Sequence, residues 1–179
     1  MGIGLVDPIL PAISRELDAS PTQTMLLFTS YLLITALAMF FSAFISSRIG
    51  VKTTLLIGLA LIVAFSALSG AGGSVDAIIG FRAGWGLGNA LFISTALAAI
   101  VGAAAGHAGQ AAILYEAAIG VGMAIGPLVG GVLGEISWRA PFYGTALLMA
   151  AGLAIATLLA KTQRKPEPVA LTAGLAAAK

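Results

Sequence analysis

The chain has 179 residues, of which 59% are hydrophobic and only 9% charged, with a formal net charge of +2. That charge content is about a third of what a soluble domain carries, so a disordered tail, a nucleic-acid binder and a soluble globular domain are excluded in favour of a polytopic helical membrane protein. With no cysteine and a single histidine, thiolate chemistry and cysteine-ligated metal are ruled out, a protein-only zinc site is disfavoured, and no cofactor is expected.

A membrane span takes about 20 residues, so the chain has room for six at most. The first apolar run covers residues 1–16 through Ile3, Leu5, Val6, Ile9, Leu10 and Ile13, and it contains Asp7, Pro8 and Pro11. It lacks the basic leader of a secretory signal. Either this helix starts at Met1 or the natural protein begins further upstream. The second run, Met25 to Ile45, carries no charge; the third, Leu55 to Leu68, fades into the turn-forming string Ser69-Gly70-Ala71-Gly72-Gly73-Ser74. The fourth runs from Ala77 to Ala104, broken only by Arg82. The fifth runs from Gln110 to Gly134 and contains Glu116. The sixth runs from Ala140 to Ala160 and ends at Lys161, Arg164, Lys165 and Pro166. The expected organisation is a six-helix transmembrane domain over 1–160 and a cytoplasmic tail, or the remnant of a central loop, over 161–179.

Basic residues orient the spans. Arg48 and Lys52, with Lys161, Arg164 and Lys165, fall on one side; Arg15 and Arg139 fall on the other, each close to an acid. The positive-inside bias then puts both termini in the cytoplasm of a plasma (inner) membrane protein. His107 reads as a loop residue on the cytoplasmic side, and Trp138-Arg139 reads first as an interfacial anchor.

Glycines are placed in register. Gly80, Gly84 and Gly88 recur every fourth residue in the fourth span, and Gly122, Gly126, Gly130 and Gly134 do so in the fifth. A spacing of four keeps them on one helix face, where a neighbouring backbone can approach closely. Pro127 lacks an N–H and predicts a bend.

Three charges lie within spans, where ionisable groups are costly and face a cavity or a partner. Asp7 lies about 15 Å and Arg82 about 9 Å from the outer side at about 1.5 Å per residue, depths that allow the two to pair. Glu116 enters the fifth span from the cytoplasmic side. The bland alternatives are a snorkelling Arg82, a helix-start Asp7 and a shallow Glu116. Asn89 is two turns after Arg82 on the same face. Trp85, Tyr31 and Tyr115 either line a cavity or simply pack.

These residues carry a resemblance to a known family. Asp7-Pro8-Ile9-Leu10-Pro11, the Ile78-Ile79-Gly80-Phe81-Arg82-Ala83-Gly84-Trp85-Gly86-Leu87-Gly88 stretch and Gly122-Met123-Ala124-Ile125-Gly126-Pro127-Leu128-Val129-Gly130-Gly131-Val132-Leu133 together resemble motifs of the first, fourth and fifth helices of major facilitator superfamily transporters. The likeness is to the N-terminal half of the drug:proton antiporter branch. Trp138-Arg139 with Phe142 is similar to the entry into that family's sixth helix. The loop between spans two and three retains Arg48, Gly50 and Lys52 of the expected Gly-x-x-x-Asp-Arg-x-Gly-Arg-Lys, but has Ala43, Ser47 and Val51 in place of the first glycine, the acid and a basic residue.

The resemblance implies an all-α fold, six transmembrane helices arranged as a 3+3 inverted repeat, and no enzymatic activity. It implies proton-coupled efflux of small amphipathic molecules by a half-size transporter or a transporter half. Asp7, Arg82 and Glu116 would couple protons, Tyr31, Trp85, Asn89 and Tyr115 would line the substrate cavity, and Gly122, Gly126, Pro127, Gly130, Gly131 and Gly134 would form the helix-packing motif. A parallel homodimer or a second six-helix chain would supply the other half. The competing readings are a non-transporting membrane scaffold or regulatory subunit, and an inactive fragment.

Overall fold

The computed structural model describes residues 2–104 and 106–159. The tail expected over 161–179, with Lys161, Arg164 and Lys165, lies outside the described residues, as does Ala160.

The first run is helical but broken. It comprises α1 (Gly2–Val6), a 3-10 turn (Asp7–Ile9) and α2 (Leu10–Glu16). Pro8 and Pro11 explain the break, because each removes an N–H and crowds the preceding turn. Five long helices follow: α3 (Pro21–Ile49), α4 (Val51–Ala71), α5 (Val75–Ala103), α6 (Ala108–Ile136) and α7 (Ala140–Leu159). All five are long and apolar enough to cross a membrane. Six spans were expected; residues 2–16 supply a sixth, interrupted element rather than a sixth long helix. The protein is thus an all-α, polytopic membrane protein.

Local chemistry sets the helix ends. Ser20 and Gln23 form a reciprocal capping box at the start of α3, with Pro21 in the first turn. Ser74 caps α5 by accepting from the Ala77 amide. Gly50 alone joins α3 to α4, at φ 91°, a left-handed backbone that glycine adopts freely. At the other end of the bundle the Gln23 amide donates to Asp76 at 2.9 Å, tying the start of α3 to the start of α5. The string from Ser69 does not turn where its composition suggests. Ser69, Gly70 and Ala71 stay helical, and the chain leaves α4 only at Gly72. Ser69 donates back to the Phe65 carbonyl, and a Cβ at Gly70 would lie 3.1–3.2 Å from Tyr143 and Phe142, so the glycine is needed for packing against α7.

Packing centres on α5, which lies against both α3 and α4; α4 in turn packs on α7, and the broken first segment packs on α6. Small residues make these approaches possible. A Cβ at Gly88 would come within 2.9 Å of Gly58 and Ile62 backbone atoms, and one at Gly58 would meet the Phe92 amide at 2.7 Å. Gly84 lies under the Phe65 ring, whereas Gly80 faces open space. The core joins Leu5, Ile9, Ile13, Leu27, Ile62, Ile78, Trp138 and Phe142. A smaller cluster of Leu55, Leu59 and Ala96 packs with Tyr115 and Leu153. Outward faces stay apolar, as at Met25, Phe40, Leu128, Leu147 and Leu158, which suits hydrocarbon rather than water.

Trp138 is only 3% exposed and sits inside the core, so it is not an interfacial anchor. Its neighbour Arg139 reaches across instead. One guanidinium nitrogen donates to the Gly70 carbonyl at 2.6 Å and to Gly72 at 3.0 Å, closing the last turn of α4.

Candidate functional site

The fifth-span glycines are used within the chain. Gly122, Gly126 and Gly130 are buried in α6. A Cβ at Gly4 would lie 3.2 Å from Pro127 Cδ and 3.3 Å from Gly126 Cα. A Cβ at Gly130 would run into the Leu5 backbone, and one at Gly134 would strike Ile9 Cγ2. The stripe at Gly126, Gly130 and Gly134 therefore seats α1 and the 3-10 turn on α6. Gly131 points elsewhere, with nothing within 4 Å of a Cβ placed there. Helix α6 runs on through Pro127 without interruption.

This contact fixes Asp7, carried on the 3-10 turn. Across the bundle, α5 presents Arg82. The guanidinium Nη2 lies 3.6 Å from Asp7 Oδ1, and the arginine is 2% exposed while the aspartate is 32% exposed. The expected pairing is present. Nε–H of Arg82 also donates to the Leu27 carbonyl of α3. Its Cζ stands 5.5 Å from the centroid of the Tyr31 ring and 5.7 Å from that of Trp85, within cation–π range. Arg82 does not snorkel: it is a buried cation matched by a carboxylate, a carbonyl and two ring faces.

Tyr31 and Trp85 meet edge to face, with centroids 6.0 Å apart. Edge-on contacts continue from Trp85 to Phe142 at 6.2 Å and from Phe142 to Trp138 at 6.3 Å, and the Arg139 guanidinium covers Trp138 at 4.2 Å. A row of rings thus leads from the ion pair to the clamp on α4. Tyr31 and Trp85, expected on the substrate cavity, are 1% and 2% exposed and packed into the core.

The remaining candidates stand apart from the ion pair. Asn89 is half-buried further along α5. Tyr115 is half-buried against the Leu55–Leu59 cluster, and Glu116 beside it is exposed on α6. His107 is exposed at the N-cap of α6. At the α3–α4 junction Arg48 lies over the Phe44 ring at 5.1 Å, and Ser47, where the resemblance calls for an acid, donates to the Phe44 carbonyl at 2.8 Å. Among the described residues no cluster of three or more His, Cys, Asp or Glu could hold a metal. One partner of the site escapes sequence reasoning, the Leu27 carbonyl, which has no side-chain signature; Phe142 is singled out in the sequence only with the entry into the sixth helix, and its contact with Trp85 depends on where α7 docks.

The arrangement keeps a carboxylate with partial access to its surroundings against a sequestered cation. A proton arriving at Asp7 would remove the counter-charge of Arg82 without breaking any bond. Comparison with known proteins gives the family. The Major Facilitator Superfamily model matches residues 1–177. The chain is 59% identical over 170 residues to the multidrug efflux protein YfmO of Bacillus subtilis, covering 94% of the chain and 43% of that protein. It is 34% identical over 164 residues to the tetracenomycin C resistance and export protein of Streptomyces glaucescens, covering 88% and 30%. It is 30% identical over 189 residues to the class C tetracycline resistance protein of Escherichia coli, covering 94% and 44%. The chain spans less than half the length of each of these relatives.

Proposed function

Because the chain belongs to the Major Facilitator Superfamily, we propose that it exports small amphipathic molecules in exchange for protons, as a half-size transporter or as one half of a transporter. Membership makes it no enzyme. The observation that carries the reading is the Asp7–Arg82 ion pair, buried on the arginine side and accessible on the aspartate side. An ionisable pair within spans is expensive to keep, and marks an ion or proton path. Asp7 takes up and gives back the proton, while Arg82 is released from and re-engages its counter-ion. Glu116, exposed on an otherwise apolar face, serves as a second proton or cationic-substrate site, with Asn89 and Tyr115 on the cavity side.

The fold is half of a two-part transporter. Its spans form a 3+3 inverted repeat over 1–160, both termini are cytoplasmic, residues 161–179 lead into a central loop or tail, and the membrane is the bacterial inner membrane. A second copy in parallel orientation, or a second six-helix chain, completes the cavity. The relatives' greater length supports this pairing, since the chain covers 43% of one and 44% of another; the glycines at 126, 130 and 134 meet the chain's own first segment.

Dye efflux driven by a proton gradient in vesicles tests the proposal. Wild-type protein should exchange dye for protons, and Asp7→Asn and Arg82→Ala should each abolish exchange. Undiminished efflux with both substitutions together would overturn the coupling roles. One observation favours a second reading, a non-transporting scaffold or regulatory subunit: Ser47 replaces the acid expected in the α3–α4 loop and turns its hydroxyl back onto its own helix. On that reading the same substitutions change stability and leave no flux to lose.

A further inference from the structure

Among the described residues, the buried side-chain nitrogen and oxygen atoms that lack a hydrogen-bond partner are Asp7 Oδ1, Tyr31 Oη and Arg82 Nη1. All three belong to one cluster. Tyr31 and Arg82 are 1% and 2% exposed, and the guanidinium carbon of Arg82 stands 5.5 Å from the Tyr31 ring centroid. A buried polar atom left without a partner costs about 1–3 kcal/mol, and nearly all such atoms in folded proteins find one in protein or water. Arg82 Nη2 stands 3.6 Å from Asp7 Oδ1, beyond hydrogen-bonding distance, so a water beside the pair that accepts from the guanidinium and donates to the carboxylate would satisfy both. An internal water needs two to four polar partners, and this cluster offers three: an acceptor, a donor, and a hydroxyl that is both.

We propose that Tyr31 is a positioning residue of the Asp7–Arg82 site, its hydroxyl holding an internal water that bridges the guanidinium and the carboxylate. The tyrosine ring supports the cation through its face, and the hydroxyl gives the proton on Asp7 a fixed hydrogen-bonded neighbour. This role differs from lining a substrate cavity: it places the hydroxyl of a buried Tyr31 beside the ion pair. It rests on the reading of Asp7 as the proton carrier. The groups that bear on the site from neighbouring elements are Arg82 from α5 and Tyr31 from α3; α6, packed on the 3-10 turn, carries Tyr115, Glu116 and Glu135, and α7 carries Arg139 and Tyr143.

Infrared difference spectroscopy of the full chain in nanodiscs, titrated with acid, tests the proposal. The Asp7 carboxylic-acid band, identified by its loss in Asp7→Asn, should titrate in the wild-type protein. In Tyr31→Phe, which keeps the ring, the midpoint should move by about half a pH unit or more, roughly a threefold change in proton affinity. A water O–H band that shifts in oxygen-18 water should accompany the wild-type titration, so the proposal stays testable even if Tyr31→Phe fails to fold. An unmoved midpoint in folded Tyr31→Phe overturns this inference and leaves Asp7 as proton carrier. Absence of the isotope-sensitive band in wild type likewise overturns it. An Asp7 that never titrates overturns both.

Discussion

Alanine at Gly130 and alanine at Gly131 should have opposite effects, although the two positions are adjacent on α6. Both exchanges replace glycine inside a helix, and each gains the same intrinsic preference, about 1 kcal/mol. Their surroundings differ. At Gly130 the new methyl would collide with the Leu5 carbonyl oxygen and lie 2.8 Å from the Leu5 Cα and carbonyl carbon, where ordinary contact begins at 3.4 Å; at Gly131 nothing is within 4 Å. The obstacle at Gly130 is backbone, so no side chain can rotate away, and α1 must retreat from α6. Overpacking of this kind costs about 1–3 kcal/mol. Since the helix-propensity gain cancels between the two variants, the difference between them should be about 1–3 kcal/mol, roughly 5- to 140-fold in the unfolding constant. Reversible denaturation of the purified protein in mixed micelles measures it. Gly131→Ala should match or exceed wild type and Gly130→Ala should fall below it. Equal stability of the two would refute the claim that the stripe seats the first segment on α6.

Other expectations concern single contacts. Arg139→Ala should lower stability by about 1.5–3 kcal/mol, because the Gly70 and Gly72 carbonyls lose a charged donor, and amide hydrogen exchange should quicken in the last turn of α4. Ser20→Ala should cost about 1 kcal/mol through loss of the capping box, seen as a lower melting temperature with the remaining helix content unchanged. Arg82→Lys keeps the charge but gives up the planar fork between two rings and the bond to the Leu27 carbonyl. It should destabilise the protein by about 1–3 kcal/mol in thermal melts and reduce proton-driven efflux at least about tenfold.

The charge gaps in the sequence place the long helices well, because a span must satisfy its backbone internally and only an apolar helix does so in lipid. Their ends are harder to read. Pro21 and Ser20 extend α3 beyond the apolar run, and the Ser69–Ala71 string stays in α4, since caps and neighbours determine where a polar residue stops being helical. The depth arithmetic for Asp7 and Arg82 anticipates their pairing. The same arithmetic has nothing to say about lateral placement, so Tyr31, Trp85 and Trp138 read as cavity or interface residues when they are packed inside. A four-residue glycine period reveals that a backbone comes close; which backbone it is, Leu5 and Gly4 of the same chain, depends on the tertiary fold.

The single-residue link at Gly50 and the Gln23–Asp76 hydrogen bond together dictate how α3 leans. Gly50 holds the end of α3 beside the start of α4, and Gln23 is held at the start of α5, which begins three residues after α4 has ended. Between these two anchors α3 runs for about 40 Å, against about 31 Å for α4, at about 1.5 Å per residue. The three-residue link Gly72–Ser74 between α4 and α5 and the reach of the Gln23 side chain span part of that difference. What they do not span is left to slant or curvature of α3, so the two tethers bear on the tilt of this helix in the bilayer alongside hydrophobic thickness.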